Sequence, residues 1–253
     1  VGVSLSPSVD QGLLQQAAQD RKQVADMRAE LDRRKALDDY RNAYDEQVGE
    51  AVTAGVLSGQ RVATVAMPEA PEDVVQSIST AVEAAGGTVV REVDVNAEAF
   101  DAGKAEDVTD ALANYVGPLG LNDSMSTATR FGVALGRSIG SKEMEDRDPL
   151  ALALGESLES RGLVTINEGS PAQAQLIIVV TAPAADPRPT PEELTAHVQF
   201  QVGLTTRGAV VLAGPNSEDI EGTDVLAARS DPTAVDSLST VDVADLSSGV
   251  TTV

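Results

Sequence analysis

The stretch RVATVAMPEAPEDVVQSISTAVEAAGGTVVREVDV (Arg61–Val95) decides the fold of this chain. It begins with a short apolar strand that is stopped by Pro68. Pro71 and two acidic residues then open a helix, Gly86 ends it, and Gly87–Val95 follows as a second strand. A strand, a helix and a strand in this order favour a right-handed βαβ unit, so we predict a parallel sheet.

The same alternation continues downstream, less regularly. The segment Gln175–Ala184 contains a continuous apolar run, as in a central parallel strand. We therefore predict central strands at Arg61–Met67 and Leu176–Thr181, flanked by a helix at Pro71–Ala85. Further helices are predicted at Glu106–Val116, Thr127–Ile139, Leu150–Arg161 and Thr190–Gly203. Further strands are predicted at Leu163–Gly169, Gly208–Pro215, Val225–Ala227 and Leu238–Val241, and the last residues, Ser247–Val253, look like the opening of another.

Upstream, Val24–Tyr44 contains no glycine or proline and lies within a longer run of the same character, about Val9–Val52, which predicts a helix of about 40 residues, roughly 60 Å long. Apolar residues recur at alternating steps of three and four, with one slip in register, as in an imperfect coiled coil. We predict that this seam mediates a homodimer; the alternative is an amphipathic helix folded back on its own domain. The predicted dimerisation residues are Leu13, Val24, Met27, Leu31, Leu37, Tyr40 and Tyr44.

The predicted fold class is therefore α/β, with a long N-terminal coiled-coil helix (9–54) and a Rossmann-like head domain (55–253) whose sheet is mainly parallel. Both ends of the chain look like cuts in a longer protein, and the C-terminus looks truncated. The 253 residues include 40 acids and 18 bases, a net charge of -22. This charge argues against nucleic acid or anionic lipid as a partner of the folded part.

A search for cofactor and catalytic motifs finds none. The turn after the first strand is MPEAPED (Met67–Asp73) where a dinucleotide fold places its glycines, and its acids would repel a pyrophosphate. The glycines of GVALGRSIG (Gly132–Gly140) do not have P-loop spacing, so we interpret them as a helix face for close packing. The motif G-x-S-x-G does not occur. We therefore predict no cofactor and no enzymatic activity.

Metal ligands are also scarce in the sequence. There is no cysteine, the four methionines are scattered, and His197 is the only histidine. Next to Glu193 on a predicted helix, His197 is interpreted as a surface or rim residue, although a catalytic triad is not excluded by counting. The acidic run Lys142–Asp148 lacks the order of a calcium loop and is interpreted as a solvated loop. We predict no metal site, and copper binding no stronger than that of an acidic surface.

Several segments, in a fixed order, carry a resemblance to a known family. They are VGVSLSP leading into the helix, Leu57–Val90 with its AGG turn, ALGESLESRGLVTIN (Ala153–Asn167), AQLIIVVTAPA (Ala174–Ala184) and DSLSTVDVADLSSGVTTV (Asp236–Val253). This order resembles the actinobacterial MctB family, catalogued as copper-transport outer-membrane proteins, and its corynebacterial SteB branch.

The resemblance implies that residues 1–8 are the stub of a removed membrane anchor and that a C-terminal segment is missing. It implies a single N-terminal transmembrane anchor, so that the chain contacts a membrane only through that missing segment. The folded part would lie outside the cytoplasm, on the periplasmic side of the cell envelope, or alternatively in the outer membrane. It further implies a SteA-type membrane partner and contacts with cell-wall proteins.

From these observations we expect a non-enzymatic, membrane-anchored envelope scaffold that dimerises through its coiled coil and engages a cell-division or cell-separation partner. One alternative is a copper transport or efflux component, or an outer-membrane channel, as the family name implies. Against a channel, the predicted strands are short, apolar throughout and separated by helices. A second alternative is a cryptic hydrolase on the α/β head.

Overall fold

The chain folds as an α/β protein with a long N-terminal helix and a mixed six-stranded sheet. The computed structural model describes residues 7–167, 169–184, 188–215 and 221–253, without the side chains at 7–15, 45–47 and 50. It divides into two units, Val1–Asp45 and Glu46–Val253. The second unit holds the whole sheet.

The sheet contains the two strands predicted at its centre. The strands are β1 (Arg61–Ala66), β2 (Thr88–Val95), β3 (Val164–Ile166), β4 (Leu176–Val180), β5 (Ala209–Ala213) and β6 (Ser239–Val241). They lie in the order β3-β2-β1-β4-β5-β6. Every neighbouring pair is parallel except β2 with β3, which is antiparallel. The prediction of a parallel βαβ unit with β1 and β4 at the centre is confirmed.

The helices that follow β1 cover both faces of the sheet. In chain order, the helices are α1 (Pro7–Thr53), α2 (Glu72–Ala84), α3 (Ala105–Leu112), α4 (Val116–Leu119), α5 (Thr127–Ile139), α6 (Pro149–Ser160), α7 (Pro191–Leu204), α8 (Asp224–Ser230), α9 (Pro232–Ser237) and α10 (Ser247–Thr252). Two short 3-10 turns, Ala97–Phe100 and Ala102–Lys104, precede α3.

Two predicted strands are wrong, because both segments are helical. Val225–Ala227 lies inside α8, whose first turn is capped by the Thr223 hydroxyl accepting from the Leu226 backbone N–H. The segment Ser247–Val253 forms α10 instead of opening a strand. Both segments are short and apolar or β-branched, and such runs do not distinguish strand from helix by periodicity.

Alternation along the central strands divides the core into two parts. Ile177 and Val179 of β4 pack into the larger part, which also receives α3, α5, α6, α7, α8 and α9. Ile178 and Val180 point to the opposite face and pack with α2 in the smaller part. Because successive side chains of a strand point to opposite faces, one apolar run supplies both parts.

Helices α5 and α7 touch through glycines, as the spacing in Gly132–Gly140 predicted. A Cβ atom built on Gly132 would lie 2.0 Å from the backbone oxygen of Phe200, and one on Gly136 would lie 3.1 Å from that of Leu204. On α7, a Cβ on Gly203 would lie 2.9 Å from the Cα of Gly132. The helices therefore pack backbone against backbone, which fixes the position of α7 on the sheet.

Helix α1 is 47 residues long, about 70 Å at 1.5 Å per residue. No helix in the described part of the chain combines the length and apolar character needed to cross a membrane. Residues 1–6 of the predicted anchor stub lie outside the described residues, as does the side chain of Leu13. The other six predicted dimerisation side chains are all exposed: Val24, Met27, Leu31, Leu37, Tyr40 and Tyr44.

Candidate functional site

Helix α7 carries the only histidine, and its start is firmly positioned. The Thr190 hydroxyl accepts from the Glu193 backbone N–H at 3.2 Å, and a Glu193 carboxylate oxygen accepts from the Thr190 N–H at 2.7 Å. Pro191 occupies the first turn. This reciprocal capping box satisfies two donors that the first helical turn would otherwise leave without partners. Glu193 and the residues one turn later therefore lie on a well-defined helix.

His197, one turn after Glu193, is more enclosed than the surface or rim position predicted for it. Its side chain is only 15% exposed. The ring packs edge-on against Phe100, with ring centroids 4.4 Å apart. Phe100 in turn packs against Phe131 and Phe200, so all three phenylalanines of the chain form one cluster beside the histidine. This cluster immobilises one side of the imidazole.

Asp224 holds the imidazole from α8. Its Oδ1 lies 2.9 Å from Nδ1 of His197, and its side chain is 8% exposed. Gln201, one turn further along α7, donates from Nε2 to the second carboxylate oxygen at 3.2 Å. An ionised carboxylate can only accept hydrogen bonds, so the proton of the neutral imidazole lies on Nδ1. The remaining nitrogen, Nε2, then carries the lone pair.

The Glu193 carboxylate lies on the same helix face, four residues before His197. The pKa of Glu193 is lowered, first by the Thr190 backbone N–H, next by the Thr190 hydroxyl, and further by the positive charge that His197 carries when protonated. The side chain is exposed, and only one of its oxygens accepts the capping hydrogen bonds. An ionised carboxylate and an imidazole thus lie four residues apart on one face of α7.

Neither Asp224 nor Gln201 was identified from the sequence. Asp224 lies 27 residues after His197 and directly precedes Val225–Ala227, where the sequence predicts a short strand. The local signal was present, because Thr223 followed by Asp224 is typical of a helix start. It predicts the helix, however, and not the contact with His197.

The ligand chemistry in the described part of the chain is limited. No group of three or more His, Asp or Glu side chains there could hold a metal ion. Met27 lies on α1, whereas Met67, Met125 and Met144 lie in different connections between elements, and Met67 is buried. There is no cysteine. A soft Cu(I) ion prefers thiolate or clustered thioether ligands, whereas imidazole and carboxylate suit Cu(II) and Zn(II).

A groove of about 880 Å³ lies along α2, bordered by α10 and by residues at the C-terminal end of α1. Its lining is mixed, with apolar residues such as Ile78 and Val82 beside threonines and serines. Asp73 and Asp245 are its acidic side chains, and it has no histidine. The described lining therefore lacks a base for nucleophilic catalysis of the serine–histidine type.

Asp94 of β2 allows a test of the repulsion between acidic side chains of β2 and α2. Burial raises the pKa of Asp94, and repulsion from Glu92 and Glu72 raises it further. An acid whose pKa is raised on folding stabilises the fold below its unfolded pKa and loses that contribution as the pH rises through its folded pKa. We therefore expect Asp94→Asn to raise the melting temperature slightly at pH 7 and to leave it unchanged at pH 2.

Thermal unfolding at the two pH values checks this, with Asp236→Asn as an exposed control that makes the same change of charge. If both variants raise the melting temperature at pH 7 by the same amount, the change in net charge alone explains the increase. Local repulsion at Asp94 would then be disproved.

Comparison with known proteins gives a consistent result. A family model described as "Copper transport outer membrane protein, MctB" matches residues 2–253. The copper transporter MctB of Mycobacterium tuberculosis is 26% identical over 252 residues, covering 92% of this chain and 79% of its own length. The protein of the same name from Mycobacterium leprae is 25% identical over 218 residues, covering 81% and 68%.

These matches correct the function expected from the sequence. Both the family description and the names of these relatives state copper transport, which was the alternative, and none states a role in cell division or cell separation. The main expectation of an envelope scaffold for cell division or cell separation is therefore wrong. The SteA-type partner stays a prediction. The expectation of a scaffold rested on a strand pattern that argues against a channel and on the scarcity of copper ligands. That scarcity argues against tight storage of copper but not against its transport.

Proposed function

Because the chain belongs to the MctB family, we propose that it is a non-enzymatic component of copper transport in the cell envelope. The observation that carries this proposal is the family match over residues 2–253. Relatives that are named copper transporters align with nearly the same length of chain. The envelope location follows the description of the family as outer-membrane proteins.

The charge distribution supports a role with a cation. Residues 1–44 contain seven acids and seven bases, whereas residues 45–253 contain 33 acids and 11 bases. The whole net charge of -22 therefore belongs to the part of the chain that contains the sheet. Such a surface raises the local concentration of cations and speeds their encounter with specific ligands.

The available ligands favour the divalent form of copper. His197 offers an imidazole nitrogen, and carboxylates are abundant, whereas thiolates are absent and the methionines are dispersed. Nitrogen and oxygen ligands suit Cu(II), while Cu(I) would need softer ones. We propose that copper contacts this chain as Cu(II) and leaves it readily, because transport requires release as well as binding.

We propose no cofactor and no reaction. The strand order β3-β2-β1-β4-β5-β6 supports a Rossmann-like head. The first turn of that head nevertheless holds Pro68, Glu69 and Pro71 instead of glycines, and it offers no cradle for a pyrophosphate. The function proposed for the head is binding and passing on an ion.

We further propose that α1 associates with α1 of a second copy as a coiled coil. The support is the row of exposed apolar side chains on a helix whose residues 7–44 carry seven acids and seven bases. This part of the helix has no net charge, so it can approach its copy without the repulsion that the acids of residues 45–253 would cause.

Deletion of the gene in its native host tests the proposed function. Loss of an exporter should raise the copper content of the cells and their sensitivity to copper, and loss of an importer should lower both. Elemental analysis and growth in graded copper measure this, and expression of the full protein should restore the original values. Copper content and sensitivity that do not change on deletion would overturn the proposal.

A further inference from the structure

In contrast to the absence of a metal site expected from the sequence, we infer that Glu193 and His197 form an exchangeable two-ligand site for Cu(II) on one face of α7. The identity of the ion rests on the proposed function, whereas the site itself rests on the geometry of α7 and α8. Neither the family description nor the names of the relatives assign a ligand.

The two ligands have the spacing that a helix needs to hold one ion. Residues four apart on an α-helix are neighbours on one face, and this spacing places two side chains around one metal in helical metal motifs. Glu193 has an exposed, ionised carboxylate with one oxygen outside the capping bonds. His197 supplies the second donor atom from the next turn.

Nε2 of His197 is the nitrogen available to a metal. It makes no hydrogen bond to any described residue, and it is not one of the buried polar atoms that lack a partner. The side chain as a whole is 15% exposed. The other nitrogen is engaged by Asp224 at 2.9 Å.

The contact with Asp224 is the arrangement that metal-binding histidines commonly have. A carboxylate that accepts from the second ring nitrogen fixes the tautomer, orients the ring and increases the basicity of the ligating nitrogen. Asp224 is 8% exposed, and Gln201 binds its other oxygen at 3.2 Å. Burying a carboxylate is unfavourable unless it has partners. The buried carboxylate of Asp224 therefore serves to position the imidazole of His197.

Two protein ligands leave the other coordination positions of Cu(II) to water. Structural metal sites are closed by three or four protein ligands, whereas open sites exchange readily. In the described part of the chain no third His, Asp or Glu completes a cluster. The site is therefore suited to transient contact with a transported ion and not to storage.

Titration of the full chain with Cu(II) in a non-coordinating buffer tests the site. With a single histidine in the chain, electron paramagnetic resonance should show one equivalent of Cu(II) bound to one imidazole nitrogen. At substoichiometric Cu(II), the ring signals of His197 should broaden first in the NMR spectrum of the unmodified protein. Carboxylate-only binding, with no nitrogen coupling and no selective broadening, would overturn the inference.

Substitutions distinguish the contribution of the two ligands to Cu(II) binding from that of the surrounding negative charge. His197→Gln should abolish the nitrogen-coupled signal, and Glu193→Gln should weaken binding while keeping that signal. Glu192→Gln makes the same change of charge at the neighbouring exposed position and should have no effect. Asp224→Asn should weaken binding about 10- to 100-fold, as loss of a carboxylate behind a ligating histidine does. Equal weakening by Glu192→Gln and Glu193→Gln would contradict a specific site.

Failure of the inferred copper site can be distinguished from failure of the proposed transport function. If Cu(II) does not contact His197 but gene deletion still changes cellular copper, this site is wrong and the transport function stands. If Cu(II) binds as described but deletion leaves cellular copper unchanged, the site is real and the transport function is wrong.

Discussion

Gly132→Ala is expected to destabilise the head by about 3 kcal/mol or more. The new Cβ would lie 2.0 Å from the backbone oxygen of Phe200, a distance that real Cβ atoms do not show. The obstacle is main chain, so no side-chain rotation can relieve it, and α5 and α7 must move apart. For a domain of this size the melting temperature should fall by roughly 6–12 °C.

Gly117→Ala is the matched control, because a Cβ at that position meets nothing within 4 Å. Thermal and denaturant unfolding, followed by far-UV circular dichroism, should separate the two variants clearly. Because His197 lies on α7, a folded fraction of Gly132→Ala should also have a displaced imidazole. If Gly132→Ala is no less stable than Gly117→Ala, the backbone contact between the helices is not as close as described.

Leu31→Asp with Leu37→Asp is expected to convert a dimer of the full chain into a monomer. Both side chains are exposed, at 64% and 50%. Each apolar side chain buried in a coiled coil contributes roughly 1.5–3 kcal/mol, and a two-fold pair buries every one twice. Two aspartates per helix would instead place four carboxylates along one seam. Sedimentation or light scattering measures the mass in solution and thereby the loss of the dimer.

Ala29→Asp with Asn42→Asp adds the same charge at positions that face away from the seam, and it should leave the dimer intact. Added salt should strengthen the wild-type dimer, because it screens repulsion between copies whose residues 45–253 carry the full net charge of -22. A wild-type chain that is monomeric at high concentration, or a seam variant with unchanged mass, would rule out association through α1.

Much of the head could be predicted because its signals are local. The Pro71 start, the glycine end of α2 and the apolar run of β4 each occupy a few consecutive residues. The glycine spacing of α5 likewise predicted a close helix contact, and Gly132 makes one. Errors arose where a short segment was compatible with two structures, as at Val225–Ala227, which lies in α8.

The candidate site was less predictable than the fold. Its two proposed ligands are four residues apart in the sequence. The residue that positions His197, however, is Asp224 on another helix. From the sequence, a single histidine beside an acid is most simply a surface residue. Its enclosure by Phe100 and its carboxylate partner depend on how α7 and α8 pack.

The sequence by itself determined the α/β class, the parallel β1–α2–β2 unit, the central place of β4, the absence of cysteine and the wide spacing of the methionines. Periodicity, helix signals and the preferred hand of the crossover act over tens of residues and need no knowledge of distant contacts. Only the tertiary structure decided the antiparallel pairing of β3, the helical state of α8 and α10, and the contact between His197 and Asp224. These features depend on which surfaces meet in the folded chain, and burial against a distant partner outweighs weak local preferences.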